Sequence, residues 1–402
     1  MAGTIQNSIT IHAGWLIDGS GDPPLEDVSI RIEGGHIERI EAWCGEPRPE
    51  EIDLGGCTVL PGLVDSHVHL AMSGSTDPAL RSAQLAYSFD KASSAIRKNL
   101  AAHASHGIMA VRDGGDRDGH ALAFKELNAL GLPVVVRSPG WGWHARGRYG
   151  SFLGRYPTAG LAGAIGGLRG RADHVKVINS GLNSLTEFGK ETSPQFAPEE
   201  LKAAVVAAGA LGLDVMVHAN GRAPVAQALE AGCRSIEHGF FMGRDNLGRL
   251  ADLQVFWVPT ACTMKVLAER STGGDASIAR RTLDHQIEQL AQARALGVPV
   301  AVGTDSGGFG VDHGVSLIEE LSILLSAGFS IAEAIRCASF EGARLLGIDG
   351  ELGRIERSMP ANLIAVPGGP PRLPESLRSP ACIVRKGRIV RDVAGSWRTG
   401  IF

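Results

Sequence analysis

The sequence predicts an α/β fold, a (β/α)8 TIM barrel with a small β-sandwich domain formed by both chain termini. Three observations predict it. Through the middle of the chain, short apolar runs alternate with stretches of helical periodicity. Both ends show instead the two-residue alternation of half-buried strands. A length of 402 residues suits one barrel and one small domain.

Residues 1–58 read as hairpins of the small domain. "SITIHAGWLIDG" and "VSIRIEGGHIERIEAW" alternate apolar with polar residues, and "EGGH" supplies a turn. From "TVLPGLVDSHVHL" the pattern changes, and residues 59–349 are assigned to the barrel. Its eight expected strands are "VDSHVHL", "GIMAVRDGG", "LPVVVRS", "HVKVINSG", "LDVMVHANG", "RSIEHG", "VFWVPTA" and "VPVAVGTDSGG". Their near-continuous apolar character implies burial on both faces, hence a parallel sheet. Between them lie helical patterns such as "PEELKAAVVAAGALG", "APVAQALEAG" and "ASIARRTLDHQIEQLAQARALG". Residues 350–402 return to strands in "ANLIAVPG" and "ACIVRKGRIVRD", and join the first segment in the small domain.

Composition narrows the function classes. Hydrophobic residues make up 44% and charged residues 20%, with a net charge of −4. There is no basic excess for nucleic acid and no charge block for a membrane surface. Cys44, Cys57, Cys233, Cys262, Cys337 and Cys382 are scattered without C-x-x-C spacing and read as reduced thiols. The first residues lack a basic-then-apolar leader, and no run of about 18 apolar residues occurs. The expectation is a soluble cytoplasmic protein with a small-molecule substrate and no nucleic-acid or membrane partner. A homo-oligomer is compatible with such a barrel, but no segment specifies its interface.

"DSHVHL" carries the first chemical signal. His67 and His69 are two apart on one strand, so they share a face. Taken alone they read equally as a packed, hydrogen-bonded pair. His218 ends "LDVMVHANG", His238 ends "RSIEHG", and Asp305 ends the apolar part of "VPVAVGTDSGG". Lys176 lies between valines in "HVKVINSG". Each has an ordinary reading: a satisfied strand-end histidine, a helix or turn cap for Asp305, a lysine reaching water. Yet each lies near the C-terminal end of an expected barrel strand, where barrel enzymes build their active sites. Gathering four imidazoles, a carboxylate and an amine at one rim points to metal chemistry.

"PGLVDSHVHL", Lys176, His218, "IEHG" and "GTD" stand in the order seen in metal-dependent amidohydrolases. The resemblance covers nearly the whole chain. The stretch from "VKVINSG" to "RSIEHG" is similar to the prolidase-like branch, which resembles Xaa-Pro dipeptidases and related carboxypeptidases. This resemblance implies two divalent metal ions, with His67, His69 and Asp305 on one, His218 and His238 on the other, and Lys176 between them as a carbamate made with carbon dioxide. Nitrogen and oxygen ligands without thiolate fit zinc, and manganese, cobalt or iron can occupy such a set. The implied reaction is amide C–N cleavage in a dipeptide or N-acyl amino acid by water activated between the metals, with Asp305 carrying the proton. A cyclic amide, a urea-type bond or a deaminable ring would use the same chemistry. An inactive, structural relative should lack the ligands, whereas all six are present here.

For the substrate, "SPGWGWHARGRYG" offers Trp143, His144 and Arg146, an aromatic-and-cation set for an apolar group and a carboxylate. It reads equally as a surface loop with buried tryptophans. In the prolidase-like branch a histidine here lies near the scissile amide, and His144 resembles it, which makes it a second catalytic candidate beside Asp305. Arg222, directly after "VHANG", is a further anion contact. The tyrosine that relatives carry after the seventh strand is absent from "VPTACTMK", where Thr263 and Met264 stand nearby. "GTDSGGFGVDHG" lacks the phosphate-loop pattern. Its Asp312 and His313 read as mouth or solvated-loop residues, and His285 as structural.

Overall fold

In a computed structural model the chain is described over residues 8–391, except 47, 49, 50, 129, 130, 169 and 171. Parts of the expected small domain, residues 1–7 and 392–402, thus lie outside the described residues.

The front of the chain forms β1 (Ser8–Leu16), β2 (Leu25–Glu33), β3 (His36–Ala42) and β4 (Ile52–Pro61). On β2, Val28, Ile30 and Ile32 are buried while the residues between them are less so, the alternation of a one-sided strand. Glu33 pairs with His36 across Gly34 and Gly35, whose φ values of 57° and 85° a two-residue hairpin turn of this hand requires.

The next strands are β5 (Leu63–Val68), β6 (Ile108–Asp113) and β7 (Val135–Arg137), a parallel sheet in that order. A second parallel sheet comprises β8 (Gly142–Trp143), β9 (Gly154–Arg155), β10 (Val175–Ile178), β11 (Val215–Ala219), β12 (Ser235–His238) and β13 (Phe256–Val258). Every residue of β5, β6, β10, β11 and β12 is buried, as a sheet covered on both faces requires. Helices such as Pro198–Gly209, Arg222–Ala231 and Gly273–Leu296 alternate with these strands.

The expected eighth strand is not a regular one. Residues 299–306 are instead threaded between β13 and β5 by single bonds. Trp257 N–H donates to Pro299 O (2.9 Å), Ala301 N–H to Trp257 O (3.0 Å) and Ser66 N–H to Val302 O (2.8 Å). At its end Asp305 takes a positive φ of 59°. Between β7 and the approach to β10, Asp173 N–H donates to Ser138 O (3.0 Å).

The chain returns through β14 (Leu363–Pro367), β15 (Cys382–Arg385) and β16 (Arg388–Arg391) to the first sheet, whose order is β16-β15-β14-β4-β1-β2-β3. This sheet curls on itself: Ala361 N–H donates to Gly35 O (2.9 Å) and Ile37 N–H to Met359 O (2.8 Å). Its core, including Ile11, Ile30, Val59 and Leu363, is separate from the apolar core around the parallel strands.

Candidate metal centre and active-site cavity

Strand geometry decides which side chains meet. His67 on β5 and His69 just beyond it are both buried, as are Lys176 on β10, His218 on β11 and His238 at the end of β12. All five, with Asp305, line one cavity of about 350 Å³. Imidazole centroids lie 4.5 Å apart for His218 and His238, 5.0 Å for His67 and His238, and 5.5 Å for His67 and His69. Ligand atoms of His67, His69 and Asp305 all fall within 4.8 Å of one another. Residues up to 238 positions apart thus meet in one place, counting from His67 to Asp305.

Each ring is held from behind. His67 Nδ1 lies 2.8 Å from Glu237 Oε2, and Glu237 also accepts from Arg112 Nη2 (2.7 Å) and the Ser235 hydroxyl. A carboxylate can only accept, so Nδ1 carries the proton and Nε2 presents its lone pair. His69 Nδ1 donates to Gly115 O (3.1 Å), which turns Nε2 toward Asp305 Oδ1 (3.2 Å). His218 Nε2 donates to Gly181 O (3.2 Å), and His238 Nδ1 meets Thr260 Oγ1 (2.7 Å). The buried Trp257 indole donates to His238 O (2.9 Å) and fixes that strand end. His238, Thr260 and Asp305 have φ values of 70°, 46° and 59°, unusual for residues with a Cβ. Backbone strain of this kind gathers at functional sites.

Among the described residues that line the cavity, two buried polar atoms have no hydrogen-bond partner: His67 Nε2 and Lys176 Nζ. A buried polar group left unpaired costs about 1–3 kcal/mol, so both need an explanation. Burial pushes the Lys176 amine down to about 8. Burial and the neighbouring Lys176 charge lower His218 to about 4 and hold His67 well below the usual range. Burial does the same to His238, helped by its histidine neighbours. These three rings are therefore neutral, with lone pairs to give. Burial would raise Asp305, but its hydrogen bond with His69 and the charges around it outweigh that and bring it down to about 2. Neutral imidazoles at His67, His218 and His238, an anionic carboxylate and an unpaired amine in one cavity fit a divalent-cation site.

The substrate-contact expectations do not survive in the same form. Trp143, His144, Arg146 and Arg222 are not among the cavity's lining residues. Trp143 is buried, and His144 is turned to its own loop, Nδ1 meeting Ala145 O at 2.9 Å. Arg146 is exposed and lies over the Tyr156 ring at 5.4 Å, and Arg222 is exposed at the head of its helix. From the same loop it is Tyr149 that lines the cavity, 5.4 Å from the His218 ring. Arg81 lines it too. Its signal was present in "TDPALR", where Asp77 caps a helix with proline in its first turn just past the His67–His69 strand. Thr263 and Met264 line the wall, whereas Asp312 is exposed. His313 is buried against His103 (3.0 Å), Met72 O (2.8 Å) and Ser306 (3.1 Å), and His285 stacks near Phe241.

Sequence and structure comparisons agree with this geometry. The chain is 24% identical to ochratoxinase of Aspergillus niger over 413 residues, covering 92% of this chain and 83% of that one. It is 26% identical to imidazolonepropionase of Pseudomonas syringae pv. tomato over 372 residues, 85% and 88% of the two chains. A solved Xaa-Pro dipeptidase with methionine bound in its active site matches with a TM-score of 0.81 at 26% identity, over 95% of this chain and 99% of that one. The sequence profile of the Amidohydrolase family matches residues 58–399, so the chain belongs to that family, on the prolidase-like side that its motifs resemble.

Proposed function

We propose that the protein is a metal-dependent hydrolase of an amide C–N bond in a dipeptide or N-acyl amino acid. The reaction is R–CO–NH–R′ with water giving R–COO⁻ and ⁺H₃N–R′. In this reading β5, β6, β7, β10, β11, β12 and β13 are seven strands of one (β/α)8 barrel, with residues 299–306 as its eighth member, the short β8 and β9 as a loop ribbon beside it, and the six clustered side chains at its C-terminal rim. Residues 59–349 make up the barrel, and the two terminal segments make up the small domain.

The observation that carries the proposal is Lys176 Nζ, buried and unpaired among four histidines and Asp305. An ammonium there would face a large desolvation penalty. With burial lowering its pKa to about 8, a far larger share of this amine is neutral near pH 7 than of a free lysine, and that neutral share can add to CO2, losing a proton and becoming a carbamate. His67, His69 and Asp305 would hold one cation, His218 and His238 a second, with the Lys176 carbamate shared; zinc suits the donor set. Bound divalent cations polarise a substrate carbonyl and lower the pKa of water. Asp305, anionic throughout the working pH range, accepts the proton of the attacking water and passes it to the leaving nitrogen. The four rings, held by Glu237, Gly115, Gly181 and Thr260, keep their orientation through turnover.

The test is metal content by elemental analysis, with turnover of an N-acyl amino acid and dipeptide panel before chelation, after chelation and after zinc return. Loss and recovery are expected, together with a native mass increment of one CO2 that Lys176→Met abolishes. Full activity in metal-free protein contradicts the proposal, and a protein that takes up no divalent ion under any condition points to a structural role. The likeness to imidazolonepropionase favours a cyclic amide as the second reading, which the same panel separates if cyclic amides are included.

A further inference from the structure

Arg81 brings a guanidinium to the wall of the cavity. Arg81 donates from Nη1 to three carbonyls, those of Ser73 (3.1 Å), Ser75 (3.2 Å) and Gly307 (3.2 Å). These bonds fix the guanidinium plane. Among the described residues, its Nε and Nη2 have no hydrogen-bond partner and no carboxylate forms an ion pair with it. The same cavity is lined by apolar side chains that include Met72, Leu267 and Phe309. A held guanidinium with a free N–H edge, against apolar surface, is the arrangement that takes a carboxylate bidentately.

The position of Arg81 says which half of the substrate carries that carboxylate. Its anchor Gly307 lies two residues beyond Asp305, and the Asp305 charge reaches the guanidinium. Tyr149 and Leu182, from the segments after β8 and β10, supply other parts of the wall. A proton carrier must stand beside the nitrogen it protonates, so the leaving amine lies on the Asp305 side. We infer that Arg81 is a specificity-determining residue that binds a carboxylate carried by the leaving amine. The preferred substrates are then acylated amino acids with a free carboxylate, and the acyl half fills the apolar wall. This inference rests on the amide-hydrolase reading of the cavity and on the role of Asp305 within it.

The experiment uses the full-length, zinc-loaded protein and three compounds: N-acetyl-L-phenylalanine, uncharged N-acetylphenethylamine, and N-succinylphenethylamine, whose carboxylate is on the acyl half. The wild type should prefer the first over the other two by one to two orders of magnitude in kcat/KM, the range a charge-assisted pair supplies. Arg81→Gln should collapse that preference, mainly by raising KM for N-acetyl-L-phenylalanine, and Arg81→Lys should keep part of it. If Arg81→Gln slows all three alike, Arg81 is only a tether for the Ser73–Ser75 and Gly307 carbonyls and the inference is wrong. A wild-type preference for the succinyl compound overturns it too. Calorimetric binding of L-phenylalanine against phenethylamine, wild type and Arg81→Gln, decides the role of Arg81 even if nothing is turned over. That last result would count against the hydrolase reading alone.

Discussion

His67 and Glu237 share a 2.8 Å hydrogen bond between two side chains that are both fully buried, and Arg112 closes the group at 2.7 Å from the other carboxylate oxygen. The carboxylate thereby selects the His67 tautomer whose Nε2 faces Asp305 and the cavity. Glu237→Gln keeps the shape but can turn an amide N–H toward Nδ1, which selects the opposite tautomer. Metal affinity, measured by competition with a chromogenic chelator, should fall by about 10–100-fold. The variant should also lose stability, because Arg112 is left buried without its counter-charge, a loss of about 3–5 kcal/mol when one partner of a buried pair is removed. Unchanged zinc affinity would show that His67 is oriented by packing alone.

Glu320 gives a pH-dependent term outside the metal cluster. Its buried carboxylate accepts from Ala261 N–H (2.9 Å) and Cys262 N–H (2.7 Å) at the start of the helix Cys262–Arg270. Burial raises it to about 7, against the hydrogen bonds that favour the anion. A carboxyl whose folded pKa lies above its unfolded value of 4.5 binds more protons in the folded state. Stability from this group is therefore complete below about pH 4.5 and is lost as pH rises through 7, by about 3 kcal/mol in all. Glu320→Gln removes the titration and weakens the two backbone bonds by a constant amount. The melting temperature of the variant, relative to wild type, should climb between pH 4.5 and 7.5. A difference that stays flat across that window refutes the shift.

Gly303 sits in the "GTD" stretch for a packing reason. A Cβ there would fall 2.9 Å from His67 N and 2.9 Å from His67 Cβ, besides striking the Val258 side chain. The chain passes between β13 and β5 at a distance that only glycine allows. Gly303→Ala should cost about 1–3 kcal/mol, as overpacking commonly does, and should lower zinc affinity because the strain falls on His67. Thermal unfolding and the chelator competition read the two effects separately. A variant with wild-type values in both would mean that β13 and β5 part without cost.

The sequence exposes those features whose physical cause repeats along it. Burial on both faces makes β5, β6, β10, β11 and β12 continuous apolar runs, and one-sided burial makes β2 alternate. The six clustered side chains were legible for a related reason: all lie on or just beyond such a run, so one fold hypothesis places them together. Loop side chains follow no period. "SPGWGWHARGRYG" holds β8 and the turn that leads back to pair it with β9, and there His144 meets a loop carbonyl and Arg146 is exposed while Tyr149 lines the cavity. Arg81 escaped notice because the contacts that aim it include a carbonyl 226 residues away. "VPVAVGTDSGG" is legible as a strand, but its irregular course is not, because that path depends on the gap between two other strands.

Asp305 can be tested apart from the cluster it belongs to. Its Oδ1 lies 3.2 Å from His69 Nε2 and 3.6 Å from His67 Nε2, and it is held as an anion at about 2. If it only supplied charge to a cation, its loss would lower metal content and turnover together. If it carries the proton, Asp305→Asn should keep most of the bound metal, since His67, His69, His218, His238 and Lys176 remain, and should lose about 10²–10⁴-fold in kcat. Metal stoichiometry and kcat measured on the same preparation separate the two roles. An asparagine variant with full metal and full turnover would take the proton from Asp305 and leave it to another group in the cavity.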